Sequence, residues 1–211
     1  NFTGLAISLG SEFILAMGNN AVLLILSSIM VCLVMGLGMT LTPCYILGAI
    51  LLAPAIIHLG YPALAVHFFI MYYVNLCTIT PPVCLTAYAA AGVAGSPPLK
   101  TGFTSMRIGI ILFIIPIFML FRPELLLLGT PLNIAIATAE ALVGAALIVS
   151  ALEGYLLKVG RLSCFSRPLL GVGGFLILFP GYIFAIIGIS LITGSIILEF
   201  AVRKAEHRTI N

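Results

Sequence analysis

Apolar residues run along this chain in long blocks, and polar residues interrupt the blocks at only a few places. The first block extends from Asn20 to Met35, breaks at "GLGMTLTP" (Gly36 to Pro43), and resumes from Cys44 to about His58. Each arm holds about 15 residues, which reach roughly 23 Å as helix, short of the roughly 30 Å hydrocarbon core of a bilayer. Two short arms around a Gly/Pro/Thr tip predict a re-entrant helical hairpin over 20–61. Two full spans joined by a tight turn are the alternative.

The second block, 62–95, is too long for one untilted span, and "CTITPPV" divides it. Pro81 and Pro82 remove two backbone donors, and a residue before proline is pushed out of the α region. A broken transmembrane helix with carbonyls released at bilayer depth is the expectation; lipid tolerates such backbone only where protein buries it or a cavity wets it. A span follows over 105–121. Additional C-terminal helices occupy 122–198, with one span from Leu132 to about Leu157. The stretch from Leu169 to Leu198 carries "FPGY" and reads as one kinked span or as a short dip plus a span. Residues 1–19 are mixed in character and suggest an interfacial or connecting helix; 199–211 read as a loosely ordered polar tail.

Composition turns this pattern into a class. The chain is 62% hydrophobic and 7% charged, with a mean hydropathy of +1.29, too few charges to cover a soluble domain. It has no Asp, and residues 13 to 99 carry no charge at all. The fold class is an all-α polytopic membrane protein, with a re-entrant hairpin plus a discontinuous helix and extra C-terminal spans. The chain starts at Asn1 without a Met-led signal segment and is expected to be a piece of something longer. Its five cysteines form no metal or disulfide framework, and a net charge of +3 is too small to suggest nucleic acid. Lys100 and Arg107 flank one loop, and Lys158, Arg161 and Arg167 crowd another. The positive-inside rule makes that side cytoplasmic, so the hairpin enters from outside.

The two breaks carry the candidate chemistry. Half-helix C-termini expose carbonyls that suit small cations, and half-helix N-termini expose amides that suit anions. Thr40, Thr42, Asn75, Thr78 and Thr80 are therefore candidates for an ion and substrate site. The competing account is that the hydroxyls bond back to their own helices and the prolines merely kink. Enzyme motifs are missing: no Asp for an aspartyl protease, no HExxH, no GxSxG. "TITPP" is not a Gly-rich channel filter. His67 is expected to be a neutral histidine bonded to a neighbouring helix. Glu140, inside a span, is expected to serve structure or subunit contact.

"GLGMTLTPCYILGAILLAPAI" and "VNLCTITPPVCLTAYAAAGVAGSPPLKTGFTSMRIG" resemble the second half of the large membrane subunit of tripartite ATP-independent periplasmic (TRAP) transporters. In particular they resemble the form with fused small and large subunits, commonly paired with a TAXI-type periplasmic binding protein. The resemblance is strong from about Ala21 to Phe121 and weak beyond. It implies a sodium-coupled secondary importer of small organic anions (carboxylates), not an enzyme, working by an elevator movement in a bacterial or archaeal cytoplasmic (inner) membrane. It implies as partners the periplasmic protein, the remaining permease (first repeat and small-subunit helices) and the lipid bilayer. Gly36, Gly38, Met39 and Thr42 carry over to the second hairpin tip; Asn75, Thr78, Thr80 and Pro81 carry over to the helix break. Na⁺ would sit at Thr42, Thr78 and Thr80, with no other cofactor. The family tip reads more like "GMGMPTT", and here Thr40 and Leu41 occupy the Pro and first Thr positions. With no Lys or Arg between 13 and 99, a substrate carboxylate must be met by Na⁺, helix N-termini or the other half of the permease. A scaffold subunit without its own ion site, or proton coupling, is the alternative.

Overall fold

A computed structural model describes residues 12, 20–157 and 159–210, with the side chains of 200–210 left out. The expected connecting helix over 1–19 and the basic Lys158 thus lie outside the described residues, apart from Glu12. The chain forms two compact units, 1–123 and 124–211.

In the first unit, α1 (Ala21–Gly36) opens on Asn20, whose side chain accepts from the Val22 and Leu23 amides at 3.0 and 3.3 Å. Its buried stripe, Leu24, Ser28, Cys32 and Gly36, recurs every four residues, while Val22, Leu26, Met30 and Val34 lie exposed. Small residues inside and large apolar ones outside are what packing in lipid selects, because close backbone approach drives association there rather than water exclusion. Helix α2 (Leu41–His58) returns beside α1 and buries Cys44, Gly48, Leu52 and Ile56. Helix α3 (Ala63–Leu76) is the core element, with Ala65, Val66, Phe69 and Ile70 at 0% exposure, and it packs on α1, α2 and α6. His67 meets the Tyr45 hydroxyl of α2 at 3.1 Å, the neighbouring-helix bond expected of it.

Helix α4 (Leu85–Ala94) ends on Gly95 at φ +63°, and α5 (Pro98–Ile108) then packs back on it. The sequence predicts a single helix over 105–121. The structure starts earlier, at Pro98, and bends by 42° at Gly109 into α6 (Ile110–Phe121). Tyr73 of α3 donates to the Phe113 carbonyl of α6 and ties the bent pair to the core.

The second unit holds α7 (Pro131–Glu153), a two-strand hairpin (β1 Tyr155–Leu156, β2 Gly160–Arg161), α8 (Ser166–Leu178) and α9 (Tyr182–Ile210). Helix α7 stops at Gly154, φ +70°, where any side chain would strike the Arg167 guanidinium. "FPGY" is a true break: α8 ends before it, and α9 runs back along α8. The Ser195 hydroxyl donates to the Ser166 carbonyl at 2.8 Å, and the buried Glu199 carboxylate accepts from the Ser163 amide at 2.8 Å. The polar end predicted as a loose tail continues α9 to Ile210. Its Glu, Ala, Arg and Lys are strong helix formers, and an established helix propagates through them at little cost.

Among the described residues, Leu41–His58, Pro131–Glu153 and Tyr182–Glu199 are each long and apolar enough to cross a membrane, and the bent pair α5–α6 together is as well. The protein is an all-α polytopic membrane protein, as the sequence predicts.

Candidate functional site

Both predicted breaks are present, and they touch. Helix α1 ends at Gly36, where the Leu37 and Gly38 amides reach back to the Val34 and Met35 carbonyls at 3.1 and 3.2 Å. Helix α3 ends at Leu76 and hands over to Cys77. A Cβ at Gly36 would sit 2.7 Å from the Cys77 Cβ and 2.8 Å from its Sγ, so only glycine lets the hairpin tip meet the break this closely. On the other side of the break, a Cβ at Gly102 of α5 would lie 2.7 Å from the Cys84 Sγ and 3.3 Å from the Pro81 Cγ. The break is therefore held between two glycines from elements distant in sequence. Cys84, fully buried at φ +23°, is in a region L-residues seldom adopt, a strain on the order of 1–3 kcal/mol that the surroundings must hold in place.

Four helix ends converge on one cavity of about 430 Å³. Gly36 and Leu37 bring the end of α1, Thr40 and Leu41 the start of α2, Cys77 and Thr78 the end of α3, and Val83 and Leu85 the start of α4. Gly38 and Met39 complete the tip side. A second cavity of about 340 Å³ lies against Asn75, Thr78, Met71, Tyr72 and Leu112. Thr78 lines both.

The structure thus brings Gly36, Gly38, Met39, Thr40 and Thr78 onto one wall and places Asn75 on the adjoining one. Thr42, Thr80 and Pro81 line neither of these two cavities. Thr42 lies exposed on the first turn of α2. Thr80 turns inward and donates to the Leu76 carbonyl at 2.6 Å, and Pro81 packs toward Gly102.

The carbonyls expected to be released by the prolines are largely engaged. Thr78 Oγ1 donates to the Asn75 carbonyl at 2.8 Å. The Thr78 carbonyl accepts from the Thr86 amide at 3.2 Å and from its hydroxyl at 2.7 Å. Tyr88 Oη donates to the Pro82 carbonyl at 2.8 Å, and the Cys84 amide donates to the Thr80 carbonyl at 3.1 Å. The break is a closed turn rather than a frayed one. A hydroxyl that has given its proton away still carries lone pairs. Thr78 Oγ1 thus offers the site acceptor character only, which suits a cation. Thr40 differs: it is the N-cap of α2, yet its side chain makes no capping bond. Its hydroxyl stands at the start of α2, one of two helix N-termini, with that of α4, that line the cavity.

Sequence reasoning missed Cys77, Gly102, Thr86 and Tyr88. Thr86 and Tyr88 were within its reach, because a threonine and a tyrosine shortly after "TPP" are placed to cap the turn. Gly102 and Cys77 carry no local signal, since their importance lies in contacts with distant partners.

A family model described as "Tripartite ATP-independent periplasmic transporter, DctM component" matches residues 1–134. No curated protein and no solved structure matches the chain.

Proposed function

The chain belongs to the DctM component family of TRAP transporters, and from that premise we propose that it carries the ion and substrate site of a sodium-coupled importer of small carboxylates. As a member it is a transporter permease component and a multi-pass membrane protein, and the family implies a periplasmic binding protein and further permease parts as partners. In the proposed cycle a periplasmic protein, of TAXI type, delivers the anion to the inner-membrane permease. Na⁺ enters at the breaks, and the hairpin and broken helix move together as an elevator.

The observation that carries the reading is the convergence of four helix ends on one cavity. Two C-terminal ends and the Thr78 lone pairs favour a cation, while two N-terminal ends and the Thr40 hydroxyl favour an anion. An ion and a carboxylate bound side by side would each raise the affinity for the other, which is the coupling a symporter needs. Residues 13 to 99 offer no fixed cation that could compete with Na⁺ for this role.

One observation favours a second reading, the scaffold subunit: the Thr78 and Thr80 hydroxyls both bond to their own helix. Melting of the full-length protein in NaCl, KCl and choline chloride at equal ionic strength separates the two. A ligand of the folded state raises apparent stability by mass action. Stabilisation by NaCl alone, lost in Thr78→Val, is expected of the importer. Equal melting in the three salts would favour the scaffold or proton coupling.

A further inference from the structure

Taking the cavity as the sodium site proposed above, we infer that Thr86 is a positioning residue for the ion. It lines neither of the two cavities described and acts through Thr78, whose hydroxyl oxygen it sets on their shared wall. Thr78 is held at every polar atom. Its amide and its hydroxyl both donate to the Asn75 carbonyl, at 3.1 and 2.8 Å. Its carbonyl accepts twice, from the Thr86 amide at 3.2 Å and from the Thr86 hydroxyl at 2.7 Å. A carbonyl has two lone pairs, so these two bonds fill it. What Thr78 has left to offer is the lone pairs of Oγ1.

The bonds to Asn75 are local to the end of α3 and move with it. The bonds from Thr86 cross the break, joining the end of α3 to the first turn of α4. Cys84, the N-cap of α4, makes no side-chain capping bond, so the first amides of that helix need another acceptor. The Thr78 carbonyl supplies one, and the Thr86 hydroxyl reinforces the link at the shorter distance. Tyr88, one turn further along α4, holds the intervening turn through the Pro82 carbonyl at 2.8 Å. An oxygen fixed before the ion arrives spares the ordering that binding otherwise requires. Rigidity of the ligands also decides between cations of different size. Without the Thr86 hydroxyl the amide bond alone spans the break, and Thr78 is free to follow a smaller ion inward.

The test uses the full-length permease and takes Na⁺ and Li⁺ dissociation constants from melting temperature against ion concentration, with choline chloride keeping ionic strength constant. Thr86→Val, near-isosteric but without the hydroxyl, is expected to raise the Na⁺ Kd about three- to tenfold. Its preference for Na⁺ over Li⁺ is expected to fall about threefold, a change that a merely structural bond would not produce. Thr86→Ser, which keeps the hydroxyl, is expected to stay within about twofold of wild type on both counts. Melting in choline chloride is the folding check. Thr86→Ala, with the better helix former, takes the place of Thr86→Val should the latter not fold. An unchanged Na⁺ Kd and ion preference in the folded variant would overturn the inference and leave the sodium-site reading standing. Equal losses in Thr86→Ser and Thr86→Val would also overturn it, because the hydroxyl would then not be the agent. No response of the wild type to Na⁺ would remove both the inference and the reading beneath it.

Discussion

The two units use the same residue, glycine, for opposite ends. In the second unit glycines join continuous helices. A Cβ at Gly144 would lie 2.8 Å from the Gly174 carbonyl oxygen and 3.0 Å from the Leu178 side chain. Gly173 and Gly188 bring α8 and α9 together in the same way, each 2.8 to 3.0 Å from the other's carbonyl oxygen or a neighbouring isoleucine. In the first unit Gly36 and Gly102 clasp a place where helix has been given up, and a cavity opens beside it. Glycine contact in the second unit makes a bundle; in the first it makes a site. Close packing alone is therefore no mark of function. What distinguishes the first unit is close packing against backbone that has left the helix.

That comparison can be broken by substitution. The largest effect is expected from Gly144→Leu, which drives a branched side chain into the α8 backbone and costs about 3 kcal/mol of stability by overpacking. The sodium response of the protein that does fold is expected to persist, since the cavity belongs to the other unit; denaturation of the variant with and without NaCl checks both parts. Gly36→Ala comes next, at about 1–3 kcal/mol, because Cys77 must shift to admit one methyl group. Here the sodium response is expected to disappear along with the stability, and a retained response would dissolve the distinction between the units. Thr78→Val removes the bond to the Asn75 carbonyl for about 1 kcal/mol and should abolish the sodium shift outright. Gly38→Ala is the smallest change. Nothing lies within 4 Å of its added Cβ, so melting should stay within about 0.5 kcal/mol of wild type. A large loss there would mean that the hairpin tip packs differently from the arrangement described.

The sequence made the helix class and the two breaks legible, and it did so for local reasons. Pro81, Pro82 and the Gly36–Pro43 run each state their backbone consequence without reference to anything distant. The bend at Gly109 was harder to read, since a glycine inside an apolar run is tolerated as often as it breaks. The continuation of α9 through Glu199 was hidden by polarity, which suggests a tail even where helix propensity is high. At the site, which residues are polar was visible in the chain, but which way each hydroxyl points was not. Thr42, Thr78 and Thr80 look alike in sequence; of the three, Thr78 alone lines the two cavities described, and the closed turn directs Thr80 back to Leu76. The contact between Gly36 and Cys77 depends on how α1 meets α3, and no local pattern encodes it.

The central claim is that the junction of the two breaks binds Na⁺. Equilibrium binding of ²²Na⁺ to the purified full-length protein, with excess KCl present, tests it most directly, using wild type, Thr78→Val and Gly194→Ala, whose added Cβ meets nothing within 4 Å in the other unit, side by side. Saturable binding to wild type and Gly194→Ala, lost in a folded Thr78→Val, is the predicted result. Binding to Thr78→Val equal to that of wild type would contradict the account.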